Sequence, residues 1–131
     1  MTSKTIQADV WTDVLISLLA IYGPSLEKVD SLVPAFKQAG LTSPSKVAQM
    51  SHEEVYNALV KSGYDRGNLL GIFIPRIQAV AQTFEQVGMA QVETVLQGKN
   101  IQAIEKILLP IKGIGPKVVN NFLLLRGLVE S

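Results

Sequence analysis

Apolar residues recur at three- and four-residue spacings along nearly the whole chain, and no segment alternates with period two long enough to make a strand. An all-α fold is the expectation. Glycine, proline and capping residues divide the pattern into about eight helices with short loops, giving a compact multi-helix barrel or bundle. Residues 9–22 present Val10, Val14, Leu15, Leu18, Leu19 and Ile21, an apolar surface wide enough for a buried helix, ended by Gly23-Pro24. Residues 25–38 read as one helix with Leu26, Val29, Leu32, Val33 and Phe36 inward, bent at Pro34 and capped by Gly40.

Ser43 and Pro44 open a short helix to Gln49, Ser43 as cap and Pro44 at the first helical position. Ser51-His52-Glu53-Glu54 is a capping box that starts a helix with Val55, Leu59 and Val60 inward, stopped by Gly63. From Arg66 to Val87 the apolar positions are Leu69, Leu70, Ile72, Phe73, Ile77, Val80, Ala81 and Phe84. Pro75 in the interior predicts a kink or two helices end to end. A helix over residues 89–97 turns Val92 and Val95 inward. Asn100 caps residues 101–109, with Ile104, Ile107 and Leu108 inward, and the final helix covers 116–126.

At 131 residues, 47% hydrophobic and 18% charged, the chain suits one folded domain, residues 1–131, and is not disordered by composition. The absence of cysteine excludes disulfides, thiolate nucleophiles, cysteine-held iron–sulfur clusters and zinc sites with cysteine ligands. The single histidine, His52, excludes a His-rich metal site and reads as a solvent-facing residue of its capping box. A net charge of +1 gives no strong global field, so any nucleic-acid contact must come from a local patch. No apolar run approaches the ~20 residues of a membrane span, and the residues from Met1 to Ile6 carry no signal-peptide core. The expectation is a cytoplasmic protein without a membrane partner.

One segment carries chemistry: Leu108-Leu-Pro-Ile-Lys-Gly-Ile-Gly-Pro-Lys117, within residues 100–126. Two helices meet across Ile111-Lys-Gly-Ile-Gly115. Gly113 and Gly115 permit backbone angles or close approaches that a β-carbon forbids, and Ile114 plugs the junction. Pro116 opens the second helix, so free N–H groups and the positive end of a helix dipole face outward beside Lys112 and Lys117. Together these make a phosphate site.

The segment resembles the helix-hairpin-helix motif, whose hairpin reads hydrophobic-x-Gly-hydrophobic-Gly-x-Lys/Arg. Residues from about Trp11 to Arg126 are similar, in order and spacing, to the helix-hairpin-helix domain of the endonuclease III-like base-excision DNA glycosylases. The stretch from Asp13 to Tyr22 corresponds to the first barrel helix, Gln49-Met-Ser-His-Glu-Glu-Val55 to a capped segment, and Lys61-Ser-Gly-Tyr-Asp-Arg-Gly-Asn-Leu69 to a Gly-aromatic turn. The resemblance implies a DNA partner, duplex or damaged, and a role in DNA repair, in the nucleoid if the source is bacterial or archaeal. The backbone would be gripped without sequence reading by Lys112, Gly113, Ile114, Gly115 and Lys117. The chain departs from the family at the end of the first barrel helix, where a polar Ser-x-Gln-like segment is replaced by Ala20-Ile21-Tyr22. Tyr22 reads as core or rim packing, with stacking on a base as the alternative, and Arg66 is the basic residue after the Gly-aromatic turn, a candidate DNA contact. The resemblance implies no cofactor beyond a monovalent or divalent cation at the DNA-bound hairpin, and no other metal.

Lys117 falls where bifunctional glycosylases place a catalytic lysine, which would attack C1′ of an abasic or damaged nucleotide. The family's catalytic aspartate comes later than Ser131, and Glu130 is too early for it, which favours binding over a glycosylase or abasic-site lyase. Trp11 reads as a core anchor; Arg66 and Arg76, ten apart on the long helical stretch, read as solvated surface charge by default, with a second basic spot facing DNA as the alternative. A helical interaction domain, with a partner protein or a homo-oligomer through exposed apolar surface, is the remaining alternative, given a mean hydropathy of +0.27.

Overall fold

The computed structural model describes residues 9–22 and 24–130, and the expected helix stop at Gly23 lies outside them. Among the described residues the fold is all-α, with nine α-helices and no strand. The helices are α1 (Val10–Leu19), α2 (Leu26–Asp30), α3 (Val33–Gln38), α4 (Pro44–Gln49) and α5 (His52–Lys61). After a 3₁₀ turn at Gly67–Leu69 come α6 (Leu70–Val87), α7 (Met89–Leu96), α8 (Ile101–Leu108) and α9 (Pro116–Leu125).

Side-chain caps explain most of the helix starts. Asp9, Ser25, Ser43 and Asn100 each accept a hydrogen bond from the backbone N–H three residues on. Ser51 and Glu54 form the reciprocal capping box, and His52 beside them is exposed. Two prolines behave differently from expectation. The single helix expected over residues 25–38 is two, because Pro34 lies in the first turn of α3, where a missing N–H deprives the helix of nothing. Pro75 lies inside α6, which continues through it as one helix. The break comes earlier, at the 3₁₀ turn.

The buried apolar side chains form one connected cluster. All ten residues of α1 are buried, and that helix packs against α9, α2 and α6; α6 in turn packs against α4, α5 and α7. Trp11 anchors the N-terminal end of α1 as expected, edge-on to Phe84 and donating from its indole to the Leu41 carbonyl at 2.8 Å. Two inward assignments are corrected. Ile72 is 44% exposed, because α6 turns the neighbouring Phe73 and Ile74 to the core. Val95 is half-buried, while Leu96, one turn after Val92, takes the core position.

A polar seam runs through the α1–α9 contact. Arg126 donates to Asp13 at 2.7 Å, Asn121 donates to the Ser17 carbonyl at 3.1 Å, and the Ser17 hydroxyl donates to the Asp13 carbonyl. Asp13 is fully buried and its second carboxylate oxygen, Oδ1, has no hydrogen-bond partner. Burial pushes its pKa up to about 7 and outweighs the opposing pull of Arg126, with the charges of Asp9 and Asp30 adding to the rise. The group therefore holds its proton more tightly folded than unfolded. Its stabilising contribution is full below about pH 4, declines as pH rises toward about 7, by at most about 1.4 kcal/mol per pH unit, and is lost above. Chemical denaturation across this range should show the decline, and Asp13→Asn should remove it. A stability profile identical in the two proteins contradicts this assignment.

Candidate nucleic-acid interface

The hairpin between α8 and α9 is a tight turn fixed from inside. The Ile111 amide bonds to the Leu108 carbonyl, the Ile114 amide bonds to the Ile111 carbonyl, and both isoleucine side chains are buried. Ile114 plugs the junction as its position between two glycines suggests. The two glycines serve different purposes. Gly113 has φ +92°, and a β-carbon there would lie 2.5 Å from Arg76 Cγ, so both backbone angle and space demand glycine. Gly115 has an ordinary extended φ of −108°, and a β-carbon there would meet nothing within 4 Å. Nothing inside the fold requires glycine at that position.

Gly115 is the N-cap of α9 and supplies no side-chain cap, and Pro116 has no N–H. No acceptor among the described residues pairs with the backbone amides of Gly113, Gly115, Lys117 or Val118. The helix thus begins with unpaired donors at the positive end of its dipole. They border a groove of about 480 Å³ lined by Ile21, Tyr22, Arg76 and residues 113–118, with no acidic side chain in its wall.

Tyr22 enters this groove from the far end of α1. It is 60% exposed and has φ +69°, a left-handed conformation that costs a non-glycine residue roughly 1–2 kcal/mol. Several contacts hold it there. Its ring stacks on Phe73 with centroids 6.2 Å apart, and Arg66 donates to the carbonyls of Ile21 at 3.0 Å and Tyr22 at 2.9 Å. Arg66 also bonds the Tyr64 hydroxyl, which donates to the Leu19 carbonyl. Burial raises the Tyr64 pKa above its ordinary value, against the opposing pull of Arg66, and keeps the hydroxyl a donor. The turn at residues 64–66 is therefore a cap for the end of α1.

Of the residues singled out in the sequence, Tyr22, Gly113, Ile114, Gly115 and Lys117 share this groove. Arg66 does not line it: its guanidinium is committed to the carbonyls beneath Tyr22. Lys112 and Lys117, expected side by side, line different grooves; Lys112 borders one with Thr83, Val87, Lys106 and Ile107. Lys117 is exposed at the groove, not enclosed in an apolar pocket. Arg76, read from sequence as solvated charge or as a basic spot shared with Arg66, is half-buried with its stem against Gly113 and lines the groove without Arg66. No cluster of three or more His, Cys, Asp or Glu side chains suited to a metal occurs among the described residues. No helix of the described residues is long and apolar enough to cross a membrane. No protein-family model, curated protein or solved structure matches the chain.

The contrast between the glycines is directly measurable. Gly113→Ala should destabilise the fold by about 1–3 kcal/mol, through strain at positive φ and displacement of Arg76. Gly115→Ala should change stability by less than about 0.5 kcal/mol. Equal losses in denaturant titrations contradict the geometry.

Proposed function

We propose that this protein binds DNA through its hairpin, gripping the sugar–phosphate backbone without reading sequence, as the helix-hairpin-helix resemblance implies. The observation that carries the reading is the start of α9. Unpaired amides at the head of a ten-residue helix open, past a glycine the fold itself does not need, into an acid-free groove holding Lys117 and Tyr22. A phosphate oxygen accepts from such amides, and the bare Gly115 lets the strand approach the backbone closely. Lys117 adds a protonated donor, and Tyr22 offers a π-face to a base exposed at a nick or lesion. A role in DNA repair follows from this preference as part of the same proposal.

With few phosphates neutralised, binding should be micromolar at low salt, with a log–log salt slope of about −2 to −3. Fluorescence anisotropy with duplex, nicked and abasic DNA tests this. Lys117→Gln should weaken binding on every sequence and reduce the slope by about one. Gly115→Ala should keep the fold and weaken binding about tenfold or more. No binding at tens of micromolar protein, or full binding by Gly115→Ala, contradicts the proposal.

A lyase reading rests on the same Lys117, which borders the groove next to the hairpin. It requires the neutral amine to attack the C1′ aldehyde of the ring-opened abasic sugar and to lose water, leaving the Schiff base that borohydride reduces. Borohydride should trap a covalent adduct on abasic DNA if it is right, and the adduct should vanish in Lys117→Ala. The exposed position of Lys117 and the absence of an acid from the groove wall favour binding, for which no adduct is expected.

A further inference from the structure

We propose that Arg76 is a second phosphate-binding side chain of the hairpin groove, its stem seated against Gly113 where a β-carbon would displace it. The inference deepens the DNA reading and rests on it. Arg76 comes from the middle of the chain, on α6, far in sequence from the hairpin. Its Cβ, Cγ and Cδ lie 2.9, 2.5 and 3.1 Å from the place a β-carbon on Gly113 would occupy. The aliphatic stem is therefore laid across the backbone of the hairpin, and the side chain lines the same groove as Lys117 and Tyr22. Most surface arginines sample many rotamers; this one is confined by contact along its stem, so less freedom remains to be lost when a ligand binds.

Its charge is uncommitted. Among the described residues Arg76 forms no hydrogen bond or ion pair, although it is half-buried, and no aspartate or glutamate lines the groove. Arg66, which does not line the groove, is consumed by backbone carbonyls. A planar guanidinium with free donors, beside a lysine and unpaired amides, is suited to a phosphodiester oxygen pair. A strand lying in the groove would thus meet cations from two elements distant in sequence, α6 and α9, which fixes its direction across the hairpin as a single lysine would not.

The test is DNA binding by Arg76→Met, which keeps the stem over Gly113 and removes the charge. Arg76→Gln serves as a second substitution, Lys37→Gln on α3 as a control away from the groove, and thermal unfolding verifies each fold. Arg76→Met is expected to bind about tenfold more weakly at low salt, with a salt slope shallower by about one and unchanged thermal stability. Arg76→Lys should recover the slope and only part of the affinity, because an ammonium lacks the fork of donors. If Lys117→Gln weakens binding while folded Arg76→Met and Arg76→Gln bind like the wild type, the Arg76 proposal is overturned and the DNA reading stands. If the wild-type protein does not bind DNA, both fall.

Discussion

The packing of α1 against α9 brings Tyr22 and the hairpin together at one groove, which Arg76 of α6 completes. α1 is buried at each of its positions, so it has no rotational freedom, and the polar seam of Asp13, Ser17, Asn121 and Arg126 fixes α9 against it. Apolar contact alone tolerates sliding by a fraction of a turn. A buried carboxyl hydrogen-bonded to a guanidinium does not, because sliding would leave both polar groups without a partner away from water. With that register set, the end of α1 meets the start of α9, and Tyr22 shares a groove with Gly115 and Lys117. The unpaired Asp13 oxygen is consistent with a seam that orders the fold at some cost in stability.

The same logic accounts for the strained tyrosine. A left-handed tyrosine persists only where its surroundings over-determine it, and here a stacked phenylalanine and two arginine donors do so. Arg66 and Tyr64 thereby act on the groove indirectly, by holding the chain beneath Tyr22. Arg76 and Lys117 face it directly. The cationic residues near this end of the molecule are divided between architecture and the open surface.

The helical class, the caps at Ser43, Ser51 and Asn100, and the burial of Trp11 and Ile114 were legible in the sequence, because local rules govern them: period, capping chemistry and the size of a side chain between glycines. Pro34 is ambiguous in sequence because proline looks the same in a bend and in a first turn; the difference depends on whether Ser31 and Leu32 continue the preceding helix. The hairpin itself was legible as Gly-x-Gly followed by Pro-Lys. The inequality of its glycines was not, since it depends on which of them takes a positive φ and on Arg76, which no local pattern links to Gly113. Likewise, the fate of the Arg66 guanidinium is set by carbonyls at Ile21 and Tyr22, and the separation of Lys112 from Lys117 by the direction of the turn between them. Long-range placement of long cationic side chains is what sequence periodicity does not encode.

The central claim is that the start of α9 is a phosphate site opening into the groove of Tyr22 and Lys117. Backbone amide NMR of the labelled protein, titrated with a short DNA duplex carrying a nick, tests it most directly, since the unpaired amides are the groups said to contact the ligand. The account predicts the largest shifts at Gly113, Gly115, Lys117 and Val118, with smaller ones at Tyr22, and little change along α8 or near Lys106. A titration that leaves those amides in place, or that moves α8 and the Lys106 face instead, contradicts it.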